Sequence, residues 1–232
     1  MHKIDIPENI VARSRRQRGR DHVIERIDPA RTAHIIVDLQ NGFMGAPFDV
    51  PVAREIVPNV NLISAALRHA GGLNVFLKYT YDPAEPQPWS VWFDTYLAAE
   101  MSTVHRNAFA RGAEPWQLWP LLDVQPSDLV LDKTRFSAFV PGTCQLDDTL
   151  RARGMDALIV TGTLTNVCCE STARDAMQRN YQIVFVADGN ATLTDAEHNA
   201  TLGNMATLFA DVMTTAEIVT LIEAGARRGG AA

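Results

Sequence analysis

Three side chains that can take part in proton transfer or nucleophilic attack lie next to apolar runs of this sequence. A carboxylate, Asp38, ends one run; an ammonium, Lys133, follows another; and a thiol, Cys168, lies shortly after a third. A thiol needs a base or a cationic neighbour to act as a nucleophile at neutral pH, and Asp38 and Lys133 are groups of those two kinds. Histidine is the usual base, but none of the six histidines ends a predicted strand. The three residues together predict nucleophilic catalysis by Cys168.

The apolar runs predict buried strands, and the stretches between them have the apolar spacing of helices. Strands are expected over 33–39, 74–79, 128–132, 157–160, 182–187 and 211–214, and helices over 52–70, 145–153, 167–179, 196–209 and 215–225. Strands that alternate with helices predict one α/β domain with a mainly parallel sheet covered on both faces. Ligands of such folds bind beyond the carboxyl ends of the strands, where Asp38, Lys133 and Cys168 all lie.

A turn of small residues, 161–165, separates the fourth strand from a helix that contains Cys168 in its first turn. Thr165 or Asn166 is the expected N-cap of this helix. The partial positive charge at a helix N-terminus favours a thiolate, and the turn can offer backbone N–H groups to an oxyanion. The three residues also have ordinary alternatives as a capping aspartate, a solvated lysine and a small buried cysteine.

The overall composition narrows the class of protein. The chain has 232 residues, of which 47% are hydrophobic and 21% are charged, as expected for one large globular domain. A net charge of −6 gives no reason to expect nucleic acid or an anionic membrane as a partner. The three cysteines cannot all pair, and no apolar run is long enough to span a bilayer. We therefore expect a cytoplasmic protein.

The two ends of the chain differ from its middle. Residues 1–31 are polar and basic, with five arginines between positions 13 and 20. We interpret them as an N-terminal extension, either solvated and partly ordered or serving as an oligomerisation arm on a neighbouring subunit. Residues 32–226 are predicted to form a single domain, and residues 227–232 a flexible tail.

Between residues 81 and 120, prolines and aromatic residues replace the regular pattern of strands and helices, which is typical of a lid or an interface segment.

Three stretches of the chain resemble the sequence motifs of the isochorismatase-like cysteine hydrolases. They are DLQNGF at 38–43, KTRFSAF at 133–139 and GTLTNVC at 162–168. This superfamily includes nicotinamidases, carbamoylsarcosine and ureidoacrylate amidohydrolases, and biuret hydrolases. The resemblance extends from about residue 33 to about residue 224, and it implies a six-stranded, mainly parallel sheet in a three-layer α/β/α sandwich.

The resemblance also implies a role for each of the three reactive residues. Asp38 would be the general base, Lys133 its cationic partner and Cys168 the nucleophile. The N–H groups of Leu164 and Cys168 would form the oxyanion hole, next to a non-proline cis peptide at Thr163–Leu164. The implied activity is hydrolysis of a C–N bond in a small amide, carbamoyl or ureido compound through a thioester, which releases ammonia or an amine.

Departures from the family patterns narrow this expectation. Nicotinamidases carry an Asp-x-His metal site after the first motif, whereas the corresponding segment here, 49–54, contains no histidine. We therefore expect no metal and no cofactor. True isochorismatases lack the nucleophilic cysteine, and the run 166–175 is most similar to ureidoacrylate and biuret hydrolases. The alternatives are isochorismatase-type hydrolysis of another bond, thiol redox chemistry through Cys168 and Cys169, and a catalytically silent member that acts in binding or assembly.

Residues next to the triad in sequence, together with nearby aromatic residues, are candidates for binding the substrate. The candidates are Gln40, Asn41, Phe43, Tyr79, Phe136, Phe139, Trp89 and Trp92. The aromatic members favour an apolar or planar amide over a highly charged one, although packing at the rim is the alternative for each of them. Trp89 and Trp92 either close the site or belong to an interface. We expect the protein to form a homo-oligomer, either a dimer or a tetramer. Cys169 and His198 are interpreted as structural residues.

Overall fold

A computed structural model describes residues 1–229 and contains one six-stranded sheet in which all strands are parallel. The strands are β1 (Thr32–Val37), β2 (Leu73–Tyr79), β3 (Leu129–Lys133), β4 (Ala157–Thr163), β5 (Gln182–Ala191) and β6 (Asp211–Met213). Their order is β3-β2-β1-β4-β5-β6, so the chain starts at the centre, builds one half of the sheet and returns to build the other. The order reverses between β1 and β4, and such a point is the usual ligand site of a parallel sheet.

Helices cover both faces of this sheet. Along the described residues they are α1 (Glu8–Arg18), α2 (Asn41–Met44), α3 (Pro51–Glu55), α4 (Val57–His69), α5 (Ala99–Ala108), α6 (Leu146–Ala152), α7 (Glu170–Gln178), α8 (Asp195–Asn204) and α9 (Thr215–Gly229). Wider π-helical turns lie at Val91–Tyr96, Thr165–Cys169 and Met205–Phe209, and a short 3₁₀ turn lies at Pro29–Arg31. Helices α6, α7 and α8 pack on one face and α3, α4 and α9 on the other, which confirms the three-layer α/β/α sandwich.

The central strands are buried on both faces, which explains their continuous apolar sequence. Every residue of β1 is buried, and successive side chains point to opposite faces. Ile35 packs in the core beneath α6 and α7, whereas its neighbour Ile36 packs against residues of α3 and α4. Strands β1 and β4 pair with Val37 beside Gly162, so both strands end at the same edge of the sheet.

One predicted helix is broken in two. The stretch 52–70 forms α3 and α4, which meet at Ile56. Pro58 lies in the first turn of α4. Because proline has no N–H and its ring clashes with the carbonyl of the residue four positions earlier, the helix is interrupted before this point. Strand β5 is longer than expected, since it continues to Ala191 beside the end of β4.

The N-terminal extension packs against its own domain on one side, and most residues of helix α1 remain exposed. Helix α1 packs on the turn Met205–Phe209, where Ser14 Oγ donates to the carbonyl of Ala206 at 2.6 Å. Arg18 donates to the carbonyl of Ala210 at 2.8 Å. Part of the polar surface of the extension is therefore used to satisfy main-chain acceptors of the domain.

The C-terminal helix extends further than predicted. Helix α9 continues through Gly229, so residues 227–229 of the expected flexible tail are helical. Residues 230–232 of that tail lie outside the described residues. Across residues 1–229, none of the helices combines the length and the apolar character that crossing a membrane requires.

The long connection between β2 and β3 packs over the carboxyl end of the sheet. It contains the turn Val91–Tyr96 and helix α5. Main-chain hydrogen bonds attach it to the segment that follows β1: Asn41 N–H donates to the carbonyl of Gln117 at 2.9 Å, and Trp119 N–H donates to the carbonyl of Leu39 at 2.9 Å. The connection therefore brings its aromatic residues to the edge where the reactive side chains lie.

Candidate active site

Asp38 and Lys133 form an ion pair beyond the central strands. Nζ of Lys133 lies 2.7 Å from Oδ2 of Asp38, and both side chains are fully buried. Nζ also donates to the carbonyl of Arg135 at 3.0 Å, and it lies 5.3 Å from the centre of the Tyr79 ring. The Cys168 side chain is within hydrogen-bonding reach of the Asp38 carboxylate, so this carboxylate can accept the thiol proton.

The main chain around Asp38 places its carboxylate at the end of β1. Asp38 has a left-handed backbone conformation with a φ of 52°, which non-glycine residues adopt mainly where their surroundings require it. Its N–H donates to the carbonyl of Leu77 at 3.1 Å. The buried side chain of Gln40 accepts from the N–H of Tyr79 at 2.8 Å and donates to the Tyr79 carbonyl at 3.0 Å. These bonds join the ends of β1 and β2.

Cys168 lies in the wide turn Thr165–Cys169 that follows β4. The peptide Thr163–Leu164 before this turn is cis, which confirms the expectation from the motif. The N–H of Cys169 donates to the carbonyl of Leu164 at 3.2 Å, the five-residue spacing of a π-helix, and such turns are frequent at functional sites. Cys168 therefore lies in the helical turn that follows a parallel strand.

Both N-caps predicted for this helix are wrong, because the capping side chains are used elsewhere. The helical turn follows Leu164, which makes no side-chain capping bond. Thr165 Oγ1 lies 3.0 Å from Nδ1 of His198, and Asn166 Oδ1 accepts from the hydroxyl of Thr192 at 2.7 Å. The two residues attach the turn Thr165–Cys169 to the segment that follows β5.

Gly162 allows β4 to end close against β1. Its φ is +126°, and a Cβ at this position would overlap the backbone of Val37. Only glycine adopts this backbone conformation without strain and leaves room for the neighbouring strand. Gly162 therefore fixes the approach of β4 just before the cis peptide.

Burial and charge set the protonation of the three reactive groups. Burial raises the pKa of the Cys168 thiol far above its ordinary value, and the Lys133 ammonium opposes this effect only in part. Burial also raises the pKa of Asp38, again against Lys133. Burial alone would lower the pKa of Lys133, but the charge of Asp38 beside it raises that pKa. Burial therefore favours the protonated thiol of Cys168, whereas the charge of Lys133 and the helix N-terminus favour the thiolate.

A cavity of about 390 Å³ opens beside Cys168, within the usual size range of small-molecule sites. Its lining residues are Phe43, Phe48, Val50, Tyr79, Trp92, His105, Phe136, Leu164, Val167, Cys168 and Leu193. Four of the predicted substrate-binding residues are among them, namely Phe43, Tyr79, Trp92 and Phe136. The cavity therefore joins the predicted nucleophile Cys168 and the predicted oxyanion-hole residue Leu164 to an aromatic wall.

Three of the other candidates lie outside this cavity. Gln40 is occupied with main-chain groups, and Asn41 donates to the side chain of Glu114 at 2.7 Å. Phe139 is buried in the core, where its ring centre lies 5.7 Å from that of Tyr181. Residues close to them in the sequence, such as Phe43 and Phe136, line the cavity. The side chains of Gln40, Asn41 and Phe139 contact other partners, because side chains of nearby residues project in different directions from the backbone.

Trp89, the fourth, stands behind the cavity wall. Its ring centre lies 4.7 Å from that of Phe136 and 5.8 Å from that of Trp92. The guanidinium of Arg135 lies 5.1 Å from the centre of the Trp89 ring. Trp89 is therefore placed to support two lining residues rather than to contact a ligand.

Five lining residues were missed by sequence reasoning, namely Phe48, Val50, His105, Val167 and Leu193. The rings of Phe48 and His105 lie 4.1 Å apart between their centres, although they belong to segments far apart in the sequence. No local pattern relates these segments. Val167 directly precedes Cys168, so its position was the one available indication.

His198 and Cys169 have the structural surroundings expected of them. Nε2 of His198 lies 3.0 Å from the carbonyl oxygen of Ala187, and Nδ1 lies at the same distance from Thr165 Oγ1. Burial lowers the pKa of His198 to about 4, so the ring is neutral at pH 7. Cys169 is fully buried in the hydrophobic core.

Comparison with known proteins identifies the family. The family model described as the isochorismatase domain matches residues 32–217, which include the three predicted catalytic residues and all six strands. The chain belongs to the isochorismatase family. Among curated relatives of this isochorismatase-family chain, the ureidoacrylate amidohydrolase RutB of Variovorax paradoxus (strain S110) is 37% identical over 203 residues, covering 81% of this chain and 80% of the relative. RutB of Methylobacterium radiotolerans is 33% identical over 198 residues, covering 79% and 76%.

Two solved structures have the same architecture as this chain. A cysteine hydrolase from Pseudomonas syringae pv. phaseolicola 1448A matches with a TM-score of 0.77 at 30% identity, covering 88% of this chain and 98% of that one. N-carbamoylsarcosine amidase from Thermoplasma acidophilum matches with a TM-score of 0.65 at 24% identity, covering 80% and 96%; this likeness shows a shared fold. Within the described residues, histidine, cysteine and acidic side chains form no group of three or more that could hold a metal ion.

Proposed function

We propose that this member of the isochorismatase family is a cysteine-dependent hydrolase of the C–N bond in small amide, carbamoyl or ureido compounds. The observation that carries the proposal is the buried ion pair of Asp38 and Lys133 behind Cys168, which lines the cavity. The two ureidoacrylate amidohydrolases at 37% and 33% identity support this reaction class.

In the first half of the proposed reaction, Cys168 attacks the carbonyl carbon of the substrate. The thiol proton moves to the carboxylate of Asp38, which is within hydrogen-bonding reach of the Cys168 side chain. Because burial raises the pKa of both groups, the proton passes between them as the C–S bond forms. The N–H groups of Leu164 and Cys168 stabilise the oxyanion, and the charge of Lys133 stabilises the anion on either partner.

In the second half, the protonated Asp38 returns its proton to the departing nitrogen. The C–N bond breaks, ammonia or an amine leaves, and the acyl group remains on the sulfur of Cys168 as a thioester. Asp38 then takes a proton from a water molecule that attacks the thioester carbonyl. The C–S bond breaks, the sulfur recovers the proton, and one water has been consumed for each C–N bond cleaved.

Mass spectrometry of the intact protein tests the acyl-enzyme. With a slowly turned-over amide, we expect a mass increase equal to the acyl group on wild type and none on Cys168→Ala. Cys169→Ala is the matched control, because that neighbouring thiol is buried in the core, and it should still form the adduct. Turnover by Cys168→Ala at the wild-type rate would exclude the mechanism.

We further propose that residues 32–226 form the catalytic domain and that the protein acts in the cytoplasm. The three cysteines, Cys144, Cys168 and Cys169, are all free, and a nucleophilic thiol persists best under reducing conditions. Retention of activity after prolonged exposure to oxidised glutathione would speak against the need for such a compartment.

A homo-oligomer, either a dimer or a tetramer, is also part of the proposal. Val91 and Tyr96 are 56% and 75% exposed on the connection that covers the site, and exposed apolar residues of this kind favour an interface. Sedimentation velocity at micromolar concentration tests this, and a monomer as the main species would contradict it.

A further inference from the structure

The cavity beside Cys168 has no charged side chain among the residues that line it. Its eleven lining residues include no aspartate, glutamate, lysine or arginine within residues 1–229. Burial lowers the pKa of His105 to about 4, so this ring is uncharged at pH 7. A charged group on a ligand would lose its hydration in this cavity without gaining an opposite charge.

Two cations close to the cavity are already engaged. Lys133 is paired with Asp38 at 2.7 Å. Arg135 donates to the carbonyls of Thr134 and Gln87 and lies over the ring of Trp89. A carboxylate in the cavity would therefore have to break existing contacts of one of these side chains before it could be paired.

Three polar atoms of the lining have no hydrogen-bond partner in the part of the chain that the structure describes. They are Oη of Tyr79, Nε1 of Trp92 and Nδ1 of His105, and all three atoms are buried. The Tyr79 side chain is only 3% exposed, and the rings of Trp92 and His105 meet edge to face with their centres 5.8 Å apart. The Trp92 indole faces the Tyr79 hydroxyl and partly opposes the rise that burial causes in the pKa of Tyr79. Because buried polar atoms are nearly always paired, a ligand can complete the hydrogen bonding of this group.

Each of the three hydrogen-bonding groups is able to donate. An indole N–H can only donate, and a phenol hydroxyl and a neutral imidazole can also donate. An uncharged acceptor such as a carbonyl oxygen satisfies them without the desolvation cost of an ion.

Aromatic rings define the shape of the remaining space. The ring centres of Phe48 and His105 lie 4.1 Å apart, and those of Trp92 and Phe136 lie 5.1 Å apart. Flat faces and ring edges make their best contacts with a planar ligand.

We propose that the site accepts an uncharged, planar amide or ureido compound whose apolar body packs among these rings and whose far end carries one hydrogen-bond acceptor. Trp92 Nε1–H and the Tyr79 hydroxyl donate to that acceptor, with His105 beside them. The inference rests on the proposed hydrolase function and names its substrate class. It separates this chain from hydrolases of anionic ureido acids such as ureidoacrylate.

Benzamides that differ only at the para position test the substrate class. The series is 4-acetylbenzamide, with an uncharged acceptor; 4-ethylbenzamide, with none; and 4-carbamoylbenzoate, with a carboxylate; 3-ureidoacrylate is assayed beside them. We expect kcat/KM for the acetyl compound to exceed that for the ethyl compound by about threefold to tenfold. The two anionic compounds should be at least about tenfold poorer than either. Faster hydrolysis of either anion overturns the proposal.

Trp92→Phe tests the donor, because it removes the N–H and keeps an aromatic ring. It should lower the ratio of the acetyl to the ethyl kcat/KM values towards one. Trp119→Phe is the matched control, since Trp119 is not among the lining residues, and it should leave the ratio unchanged. An unchanged ratio in Trp92→Phe refutes the role of the indole.

Binding to the Cys168→Ala protein separates the substrate class from the reaction. Titration calorimetry with the same compounds should give Kd values at least about tenfold lower for the acetyl compound than for the carboxylate. This order of binding without any turnover by wild type would reject the proposed function alone. Turnover with the opposite order would reject the substrate class alone, and neither binding nor turnover would reject both.

Discussion

Replacing Lys133 with methionine would leave the Asp38 carboxyl buried without its cation. The two groups are 2.7 Å apart and fully buried, and methionine retains much of the aliphatic stem of lysine. Removing one member of such a pair costs about 3–5 kcal/mol in the free energy of unfolding. The double variant Asp38→Asn/Lys133→Met has no buried charge at this position. We expect it to be more stable than Lys133→Met alone by about 1–3 kcal/mol.

The size of this loss should depend on pH. Burial already raises the pKa of Asp38 against the opposing charge of Lys133, so removal of Lys133 raises it further. Below a pH of about 3.9, the pKa of the carboxyl in the unfolded protein, Asp38 is protonated in both the folded and the unfolded protein and does not change the free energy of unfolding. As the pH rises from this value to the pKa of Asp38 in the folded protein, the free energy of unfolding falls by about 1.4 kcal/mol per pH unit. Lys133→Met should therefore be less destabilised at pH 5 than at pH 8.

Urea unfolding followed by circular dichroism at pH 5 and pH 8 measures these differences. The matched control is Lys3→Met, because Lys3 lies 3.8 Å from Asp5 in an exposed pair, and it should change stability by less than about 1 kcal/mol. A Lys133→Met protein as stable as wild type at pH 8, or equally destabilised at both pH values, would refute this account of the site.

Three further outcomes follow from the structure. Because burial raises the pKa of Asp38, kcat/KM should fall on the acid side with an apparent pKa above the usual carboxyl value of about 4; initial rates between pH 3 and 8 measure it, and a lower value contradicts the assignment. Gly162→Ala, whose Cβ would overlap the backbone of Val37 at a φ of +126°, should lower the stability by more than about 2 kcal/mol, which thermal unfolding detects, whereas Gly19→Ala, with open space around it, should cost less. Burial lowers the pKa of His34 to about 3, so the unfolded state binds more protons below about pH 6.5. Stability should therefore fall by up to about 1.4 kcal/mol per pH unit on acidification, and His34→Gln should show a shallower slope in urea unfolding.

The positions of Asp38, Lys133 and Cys168 could be predicted from the sequence because each follows a short apolar run. Parallel strands end at one edge of a sheet, so residues at their carboxyl ends meet there without further information. The cis peptide at Thr163–Leu164 was predicted from the motif around it and is present. The three-layer fold follows from the same alternation of strands and helices.

The protonation of the site could not be predicted in the same way. Cys168 lies at the start of a helix, which by itself favours a thiolate, yet burial raises the pKa of its thiol instead. The N-cap predictions were wrong for a related reason, because Thr165 contacts His198, which lies more than thirty positions later in the sequence. Burial and distant partners are properties of the packed chain.

The sequence by itself determined the α/β alternation, the positions of Asp38, Lys133 and Cys168 at the ends of strands, and the turn that carries Cys168, because each depends on residues close together in the chain. Only the tertiary structure decided the strand order, the residues that line the cavity, and the pairing of Lys133 at the end of β3 with Asp38 after β1, on either side of the intervening strand β2. Phe48 and His105 illustrate the reason. Their ring centres lie 4.1 Å apart, although no feature of either sequence segment predicts contact with the other segment. A local pattern shows which face of an element is buried, whereas the element that covers this face is selected by the packing of the whole chain.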